Sequence, residues 1–175
     1  MRRSSRDNDL ERVYREHLDA IFSFFSYSVA RHVAEDLTAT TFERVVKAWG
    51  RYDPSKASER TWILTIARNA LTDHYRRQSH RKAASLDEHP GLADSLAQAD
   101  PFAQPLAADA FAGWLRDLGD RDRQVLALKY GADLSAAEIA ALLDLSEPNI
   151  HQIVSRALKR LRTKAHAADE SGHDR

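Results

Sequence analysis

The segment SEPNIHQIVSRALKRLR, residues 146–162, combines side chains that can read DNA bases with a run of positive charge. In a helix of 3.6 residues per turn, Ile150, Ile153 and Ala157 share one face and the polar side chains share the other. Amides and hydroxyls can hydrogen-bond base edges in the major groove, while arginine and lysine bind phosphates. The segment therefore predicts a DNA-recognition helix. The alternatives are a surface helix with a solvated basic face and a helix that binds an acidic protein.

A second stretch, RTWILTIARNALTDHYRRQSHRK at 60–82, places aromatic residues beside positive charge. Trp62 and Tyr75 belong to it, and 68–82 contains five basic residues and one acidic residue. Aromatic rings stack on unpaired bases while cations follow the phosphates, so this composition suits single-stranded DNA. The alternative is that both aromatic residues belong to the core and the basic residues are simply solvated.

The sequence contains no arrangement typical of a catalytic site. Its eight histidines are scattered, and there is no cysteine, no HExxH pattern and no glycine-rich phosphate loop. We therefore predict that the protein is not an enzyme and has no catalytic residue, no metal site and no cofactor.

Composition favours a soluble globular protein, with 43% hydrophobic and 30% charged residues in a chain of 175. The formal net charge is zero, but basic residues outnumber acidic ones 16 to 11 in 1–82, whereas 83–122 has 2 basic and 8 acidic residues. Two basic surfaces separated by an acidic connector are consistent with two contacts on one polyanion. No secretory signal or bilayer-length apolar run is present, which predicts a cytoplasmic protein without membrane insertion.

The elements that must position these surfaces are helical by pattern, and no strand pattern stands out. The predicted fold class is all-α, with two small helical domains at 10–82 and 112–165. An acidic linker at 83–111, rich in proline and alanine, joins them. The predicted helices cover about 10–25, 34–49 and 60–78 in the first domain, 111–117 and 120–130 in the second, and then a helix-turn-helix whose helices follow Ser135 and Ser146.

Capping signals define this helix-turn-helix. Ser135 and Glu138 have the spacing of a capping box, in which each side chain satisfies a free backbone donor of the first turn. Ser146 is a second N-cap candidate, which places Pro148 in the first turn of the following helix. A proline is tolerated there because the first backbone N–H groups have no intrahelical partner.

Together these segments resemble the extracytoplasmic-function (ECF) sigma factors of bacterial RNA polymerase. The resemblance covers about 10–80 and 112–164 in the order of the family. It is carried by AEDLTATTF at 34–42, WILTIARNALTDHYRR at 62–77 and LSAAEIAALLDLSEPNIHQIVSRALKRLR at 134–162. It implies a sigma region 2 that binds polymerase and recognises and melts the minus-ten element, and a sigma region 4 that reads the minus-thirty-five element.

The resemblance also implies partners and site residues. The partners are the RNA polymerase core enzyme, promoter DNA as duplex and as melted single strand, and an anti-sigma factor. The implied core-polymerase-binding residues are Asp36, Leu37, Thr41, Phe42 and Val45; the minus-ten DNA residues are Ser58, Arg60, Trp62, Asn69, Asp73, Arg76 and Arg77; and the minus-thirty-five DNA residues are Ser146, Asn149, His151, Gln152, Ser155, Arg156, Lys159 and Arg160.

Two positions depart from the family pattern. Glu59 stands where an aromatic residue is common, ahead of the tryptophan helix. Pro148, followed by His151 and Gln152, stands where many members have a small residue and then a basic one. The competing hypothesis is a helix-turn-helix regulator that binds duplex DNA without polymerase. It would need a dimer interface and would not need the first domain's polymerase-binding and strand-binding surfaces.

Overall fold

The structure, a computed structural model, describes residues 2–88, 113–115 and 117–172, and the regular secondary structure of this part of the chain is helical. This confirms the predicted all-α class. We call 2–88 the first unit and 113–172 the second unit. The first unit comprises α1 (Arg2–Ser26), α2 (Arg31–Ala48), a 3-10 turn (Trp49–Arg51) and α3 (Glu59–Glu88).

The second unit begins with helical residues at 113–115 and contains the predicted helix-turn-helix. The Ser135–Glu138 capping box is confirmed: the Ser135 hydroxyl accepts from the Glu138 N–H at 3.2 Å, and the Glu138 carboxylate accepts from the Ser135 N–H at 2.8 Å. The elements are α4 (Asp120–Leu126), a π-helix (Ala127–Gly131), α5 (Ala136–Leu143) and α6 (Glu147–Gly172).

Pro148 begins a helix, as predicted. α6 starts at Glu147, so Pro148 is its second residue, and the N–H of Ile150 donates to the carbonyl of Ser146 at 3.2 Å. A backbone N–H at the second helical position has no intrahelical acceptor. The proline, which lacks this N–H, therefore costs the helix no hydrogen bond.

α3 is longer than the apolar pattern predicted. The predicted helix ends near residue 78, but α3 continues to Glu88, through the first six residues of the predicted linker. The extension SHRKAASLDE is rich in residues of high helix propensity and lacks an apolar stripe, so periodicity alone misses it. The rest of the predicted linker, 89–111, and the start of the helix predicted at 111–117 lie outside the described residues.

One hydrophobic core runs from the first unit into the second. It includes the fully buried Phe24 and Phe25 of α1 together with Leu128 and Leu134 of the second unit. Gly131 lies so close to α1 that a Cβ atom there would be 3.0 Å from the carbonyl oxygen of Ser23 and 3.1 Å from Cα of Phe24. The π-helix therefore docks the second unit against α1.

A smaller core holds the second unit together. It consists of side chains from the residues before α4, from α4 and from the inner face of α6: Leu115, Leu118, Leu126, Ala157 and Leu161. Within the described ranges, no helix has both the length and the apolar character needed to cross a bilayer.

Candidate nucleic-acid interface

The outer face of α6 carries the polar side chains predicted for base and phosphate contacts. Ile150, Ile153 and Ala157 are buried, which fixes the orientation of the helix on its unit. Of the eight residues predicted for this surface, Asn149 is half-buried and the other seven are exposed. The exposed residues are Ser146, His151, Gln152, Ser155, Arg156, Lys159 and Arg160.

A buried carboxylate on α4 holds two of the arginines of α6. Asp122 is only 5% exposed. Its Oδ1 accepts from Nη2 of Arg156 at 2.6 Å, and its Oδ2 lies 3.6 Å from Nη1 of Arg160. Asp122 thereby raises the pKa of Arg156, and both guanidinium groups are restrained on the outer face of the helix. Sequence reasoning missed Asp122 because it is 34 residues from Arg156 and has no local signal.

The loop before α3, residues 53–58, rests on an aromatic cluster. Tyr52 packs between Trp49 and Trp62, with ring centroids 5.3 Å and 5.2 Å apart respectively. The Tyr52 hydroxyl donates to the carbonyl of Ala57 at 3.1 Å, which ties the ring to the end of the loop. Trp62 is therefore half-buried and supports the loop from beneath.

Short-range hydrogen bonds close both ends of this loop. The Asp53 carboxylate accepts from the Ser55 N–H at 3.0 Å and from the Ser55 hydroxyl at 2.7 Å, which lowers the pKa of Asp53. At the other end, the Ser58 hydroxyl accepts from the N–H of Thr61 at 3.2 Å. These hydrogen bonds restrain both ends of the loop.

The outward face of α3 is polar and partly paired. Asn69, Arg76 and Arg77 are exposed, whereas Asp73 pairs with Arg44 of α2 at 3.1 Å. The side chain of Tyr75 is directed inward, and its hydroxyl donates to the carbonyl of Ser28 at 2.9 Å. Trp62 and Tyr75 are partly buried and pack against the core, in agreement with the alternative interpretation of these aromatic residues.

Two basic residues of α3 contact the second unit. The Arg60 guanidinium donates to the carbonyl of Ala132, and Nη1 of Arg68 donates to the carbonyl of Leu142 at 3.3 Å. Both carbonyls belong to the second unit, near the helix-turn-helix. One part of the predicted minus-ten surface is therefore engaged in contacts between the units.

The residue set that the resemblance implies for polymerase binding lies on α2. Asp36 is exposed, and the other four residues of that set are buried in the first unit. Asp36 and Glu43 lie two turns apart on the outward face, and Nζ of Lys47 lies 3.9 Å from the Glu43 carboxylate on the same face. The four buried residues are Leu37, Thr41, Phe42 and Val45.

Comparison with known proteins agrees with this geometry. Residues 13–81 match sigma-70 region 2, and residues 114–163 match sigma-70 region 4. The chain is 30% identical over 153 residues to the ECF RNA polymerase sigma factor SigC of Mycobacterium tuberculosis, covering 87% of this chain and 80% of SigC. The chain belongs to the ECF sigma factors of bacterial RNA polymerase. It is also 29% identical over 155 residues to SigM of Bacillus subtilis, covering 87% of this chain and 93% of SigM.

Solved structures show the same fold for this sigma factor. CnrH, in complex with the cytosolic domain of CnrY, has a TM-score of 0.65 at 23% identity, covering 92% of this chain and 90% of CnrH. RpoE of Bartonella quintana, in complex with the anti-sigma factor NepR, has a TM-score of 0.68 at 22% identity, covering 90% and 97%.

Membership of this family confirms two expectations and removes one alternative. Sigma factors direct polymerase to promoters and are not enzymes, as predicted. The region 2 match argues against the helix-turn-helix regulator that acts without polymerase. The roles of individual residues remain predictions.

Proposed function

We propose that this sigma factor binds core polymerase through the outward face of α2, captures the minus-ten strand with 53–58 and α3, and reads the minus-thirty-five element with α6. It acts in the cytoplasm, on the duplex and melted forms of one promoter. The observation that carries this proposal is the presence of two polar surfaces on two packed helical units, in the family order of region 2 and region 4.

Two exposed carboxylates on the outward face of α2 support polymerase binding. Asp36 and Glu43 are exposed and lie on one stripe, which suits a helical partner that carries basic residues. The buried Leu37 and Phe42 act indirectly in this proposal: they fix the position of α2 on α1 and α3.

The loop and α3 support capture of the separated strand. An ordered loop on an aromatic base, followed by a face with exposed cations, can hold an unstacked base and the phosphates beside it. The residues proposed for this surface are Ser58, Arg60, Trp62, Asn69, Asp73, Arg76 and Arg77.

α6 supports readout of duplex DNA. Its exposed amide, imidazole and hydroxyl groups face outward near the N-terminus, and its cations follow along the same face. The residues proposed for this surface are Ser146, Asn149, His151, Gln152, Ser155, Arg156, Lys159 and Arg160.

Control by an anti-sigma factor is part of the proposal. The solved structures of CnrH and RpoE are complexes with CnrY and with the anti-sigma factor NepR. In our proposal such a partner competes with polymerase for this sigma factor. Competition can be measured as loss of co-elution with core enzyme when the candidate partner is added.

Co-elution with core polymerase tests the α2 assignment. The double charge reversal Asp36→Lys with Glu43→Lys should weaken binding about tenfold, because two favourable charge contacts become repulsive. The matched control, Asp9→Lys with Glu11→Lys, makes the same charge change on exposed positions of α1 and should co-elute normally. Undiminished co-elution of the α2 variant, with its helical content intact, would remove this face from the interface.

A further inference from the structure

Glu59, the first residue of α3, is tied across the first unit to α1. Nη2 of Arg12 lies 2.7 Å from its Oε1, and Nη1 of Arg12 lies 3.1 Å from its Oε2, which makes the pair bidentate. The Glu59 side chain is 26% exposed. Bidentate arginine–carboxylate pairs restrict both distance and orientation, so this contact fixes the start of α3 relative to α1.

Neighbouring groups complete the network around Glu59. Nη1 of Arg12 also donates to the Glu16 carboxylate at 2.7 Å. Nε2 of His17 lies 3.7 Å from Oε2 of Glu59 and has no hydrogen-bond partner in the described part of the chain. Glu16, His17 and Glu59 are close enough to suggest a metal site, but Arg12 already bridges both carboxylates. We therefore treat the group as an ion-pair network.

The electrostatics agree with a restraint centred on Arg12. Its hydrogen bond to Glu59 is the main reason that the pKa of Glu59 lies below its ordinary value, and the charge of Arg12 adds to this effect. Glu59 is therefore ionised throughout the neutral range, and the pair persists there.

The position of Glu59 gives this pair a consequence for DNA. Glu59 directly follows the loop 53–58 and directly precedes Arg60. The hydrogen bonds of Asp53 and Tyr52 fix the loop internally and onto its aromatic base. The Arg12–Glu59 pair fixes the end of the same loop to α1.

We propose that Glu59 is a positioning residue for the minus-ten loop, and that its pair with Arg12 orders the loop before DNA binds. Ordering the loop in advance lowers the entropy that strand capture must overcome. The inference rests on the proposed function of 53–58. Glu59 stands where an aromatic residue is common in the family. In this proposal it supports the loop through an ion pair.

The first test measures loop order in the full-length protein by amide hydrogen exchange. Glu59→Gln and Arg12→Gln should each raise exchange of residues 53–58 about fivefold, the effect expected for loss of a partly exposed ion pair. The double variant should be no worse than either single variant, because both remove the same interaction. Unchanged exchange in Glu59→Gln, or additive effects in the double variant, would overturn the inference.

The chain provides a matched control for this test. Arg15 and Glu11 form an exposed ion pair at 2.7 Å on the same helix, and both side chains are more than two-thirds exposed. Glu11→Gln makes the same substitution in an Arg–Glu pair within α1, away from the loop, and should leave loop exchange unchanged.

The second test measures strand capture. Holoenzyme is incubated with single-stranded DNA of random sequence, and enrichment by the wild type defines its preferred minus-ten sequence. Glu59→Gln holoenzyme should bind the enriched sequence about fivefold more weakly, whereas its affinity for a scrambled sequence and its co-elution with core should not change. If the wild type enriches no sequence, the proposed function of the loop fails. If the wild type enriches a sequence that Glu59→Gln binds equally well, the positioning role alone fails.

Discussion

The two DNA-facing surfaces of this sigma factor differ in what restrains them. On α6, Arg156 and Arg160 are held by Asp122 of their own unit, and the rest of the outer face is open to solvent. On α3, Arg60 and Arg68 donate to carbonyls of the other unit. The surface proposed for the minus-thirty-five element is therefore exposed in this conformation, while part of the surface proposed for the minus-ten element contacts the second unit.

Under the proposed assignment of the two surfaces, this difference implies that the units separate on a promoter. Duplex DNA rises about 3.4 Å per base pair, so elements about 25 base pairs apart are roughly 85 Å apart. A folded chain of this length has a radius of gyration of only about 16 Å when compact. Under that assignment, the core shared by the two units must open before both surfaces reach their elements.

A larger side chain at Gly131 tests the docking of the second unit on α1, and we expect it to change stability more than the other substitutions do. Gly131→Val should disrupt docking of the second unit, because a Cβ atom would meet α1 backbone at 3.0 Å and backbone yields little. We expect a stability loss of about 2 to 3 kcal/mol and an increased radius of gyration in small-angle scattering.

Gly119 provides the control for this substitution. A Cβ atom at Gly119 has no neighbour within 4 Å, so Gly119→Ala should leave both stability and radius of gyration nearly unchanged. A Gly131→Val protein with the dimensions and melting temperature of the wild type would contradict the docked arrangement.

Removing the charge of Asp122 tests the restraint that it places on Arg156 and Arg160. Asp122→Asn should lower the free energy of unfolding by about 1.5 kcal/mol, because the charge of a hydrogen-bonded buried carboxylate is lost. The effect is moderate because both arginine partners are partly exposed to solvent. It should weaken binding of duplex promoter DNA without altering the radius of gyration. Chemical denaturation and duplex-binding titrations measure these effects. Asp120→Asn, on the exposed side of α4, is the control, and equal effects of the two substitutions would contradict a special role for Asp122.

The capping box is a local feature of the second unit and should have a smaller effect. Ser135→Ala should cost about 1 kcal/mol, measured by thermal unfolding, and should not affect docking of the first unit. The hydrogen bonds from Ser135 hold the pKa of Glu138 below its ordinary value. This contribution to stability is present above that ordinary value and is lost as the pH falls through the lowered pKa.

The pH dependence provides a check on this assignment. Between pH 7 and the acid range, the wild type should lose more stability than Ser135→Ala, because the variant lacks the hydroxyl bond that favours ionised Glu138 and keeps only the bond from the backbone N–H. Parallel losses in the two proteins would indicate that the capping box does not contribute in solution.

Lysine and arginine contacts of α6 should produce the smallest individual effects. Arg156→Ala and Lys159→Ala should each weaken duplex binding and reduce the slope of log affinity against log salt by about one, since each phosphate contact releases counterions. Arg156→Ala should also destabilise the second unit, because it removes a partner of the buried Asp122. Titrations at several salt concentrations measure this slope. An unchanged slope for either variant would place that residue outside the interface.

Local signals predicted much of this structure and little of its long-range contacts. Apolar spacing and capping residues identified the helices, the capping box at Ser135 and the start of α6 around Pro148. The same spacing could not show what Leu37 and Phe42 pack against, because a periodic stripe does not specify its partner. Asp122 and Gly131 were missed for a related reason, since their partners lie far away in the sequence.

Transcription by the reconstituted holoenzyme on fragmented genomic DNA, with the start sites mapped, tests whether the two surfaces read two promoter elements. We expect start sites that share two upstream sequence blocks. Gln152→Ala should alter only the block farther from the start, and Asn69→Ala should alter only the nearer block. Initiation no greater than with core enzyme alone, or a single block altered by both substitutions, would contradict the assignment of two surfaces to two promoter elements.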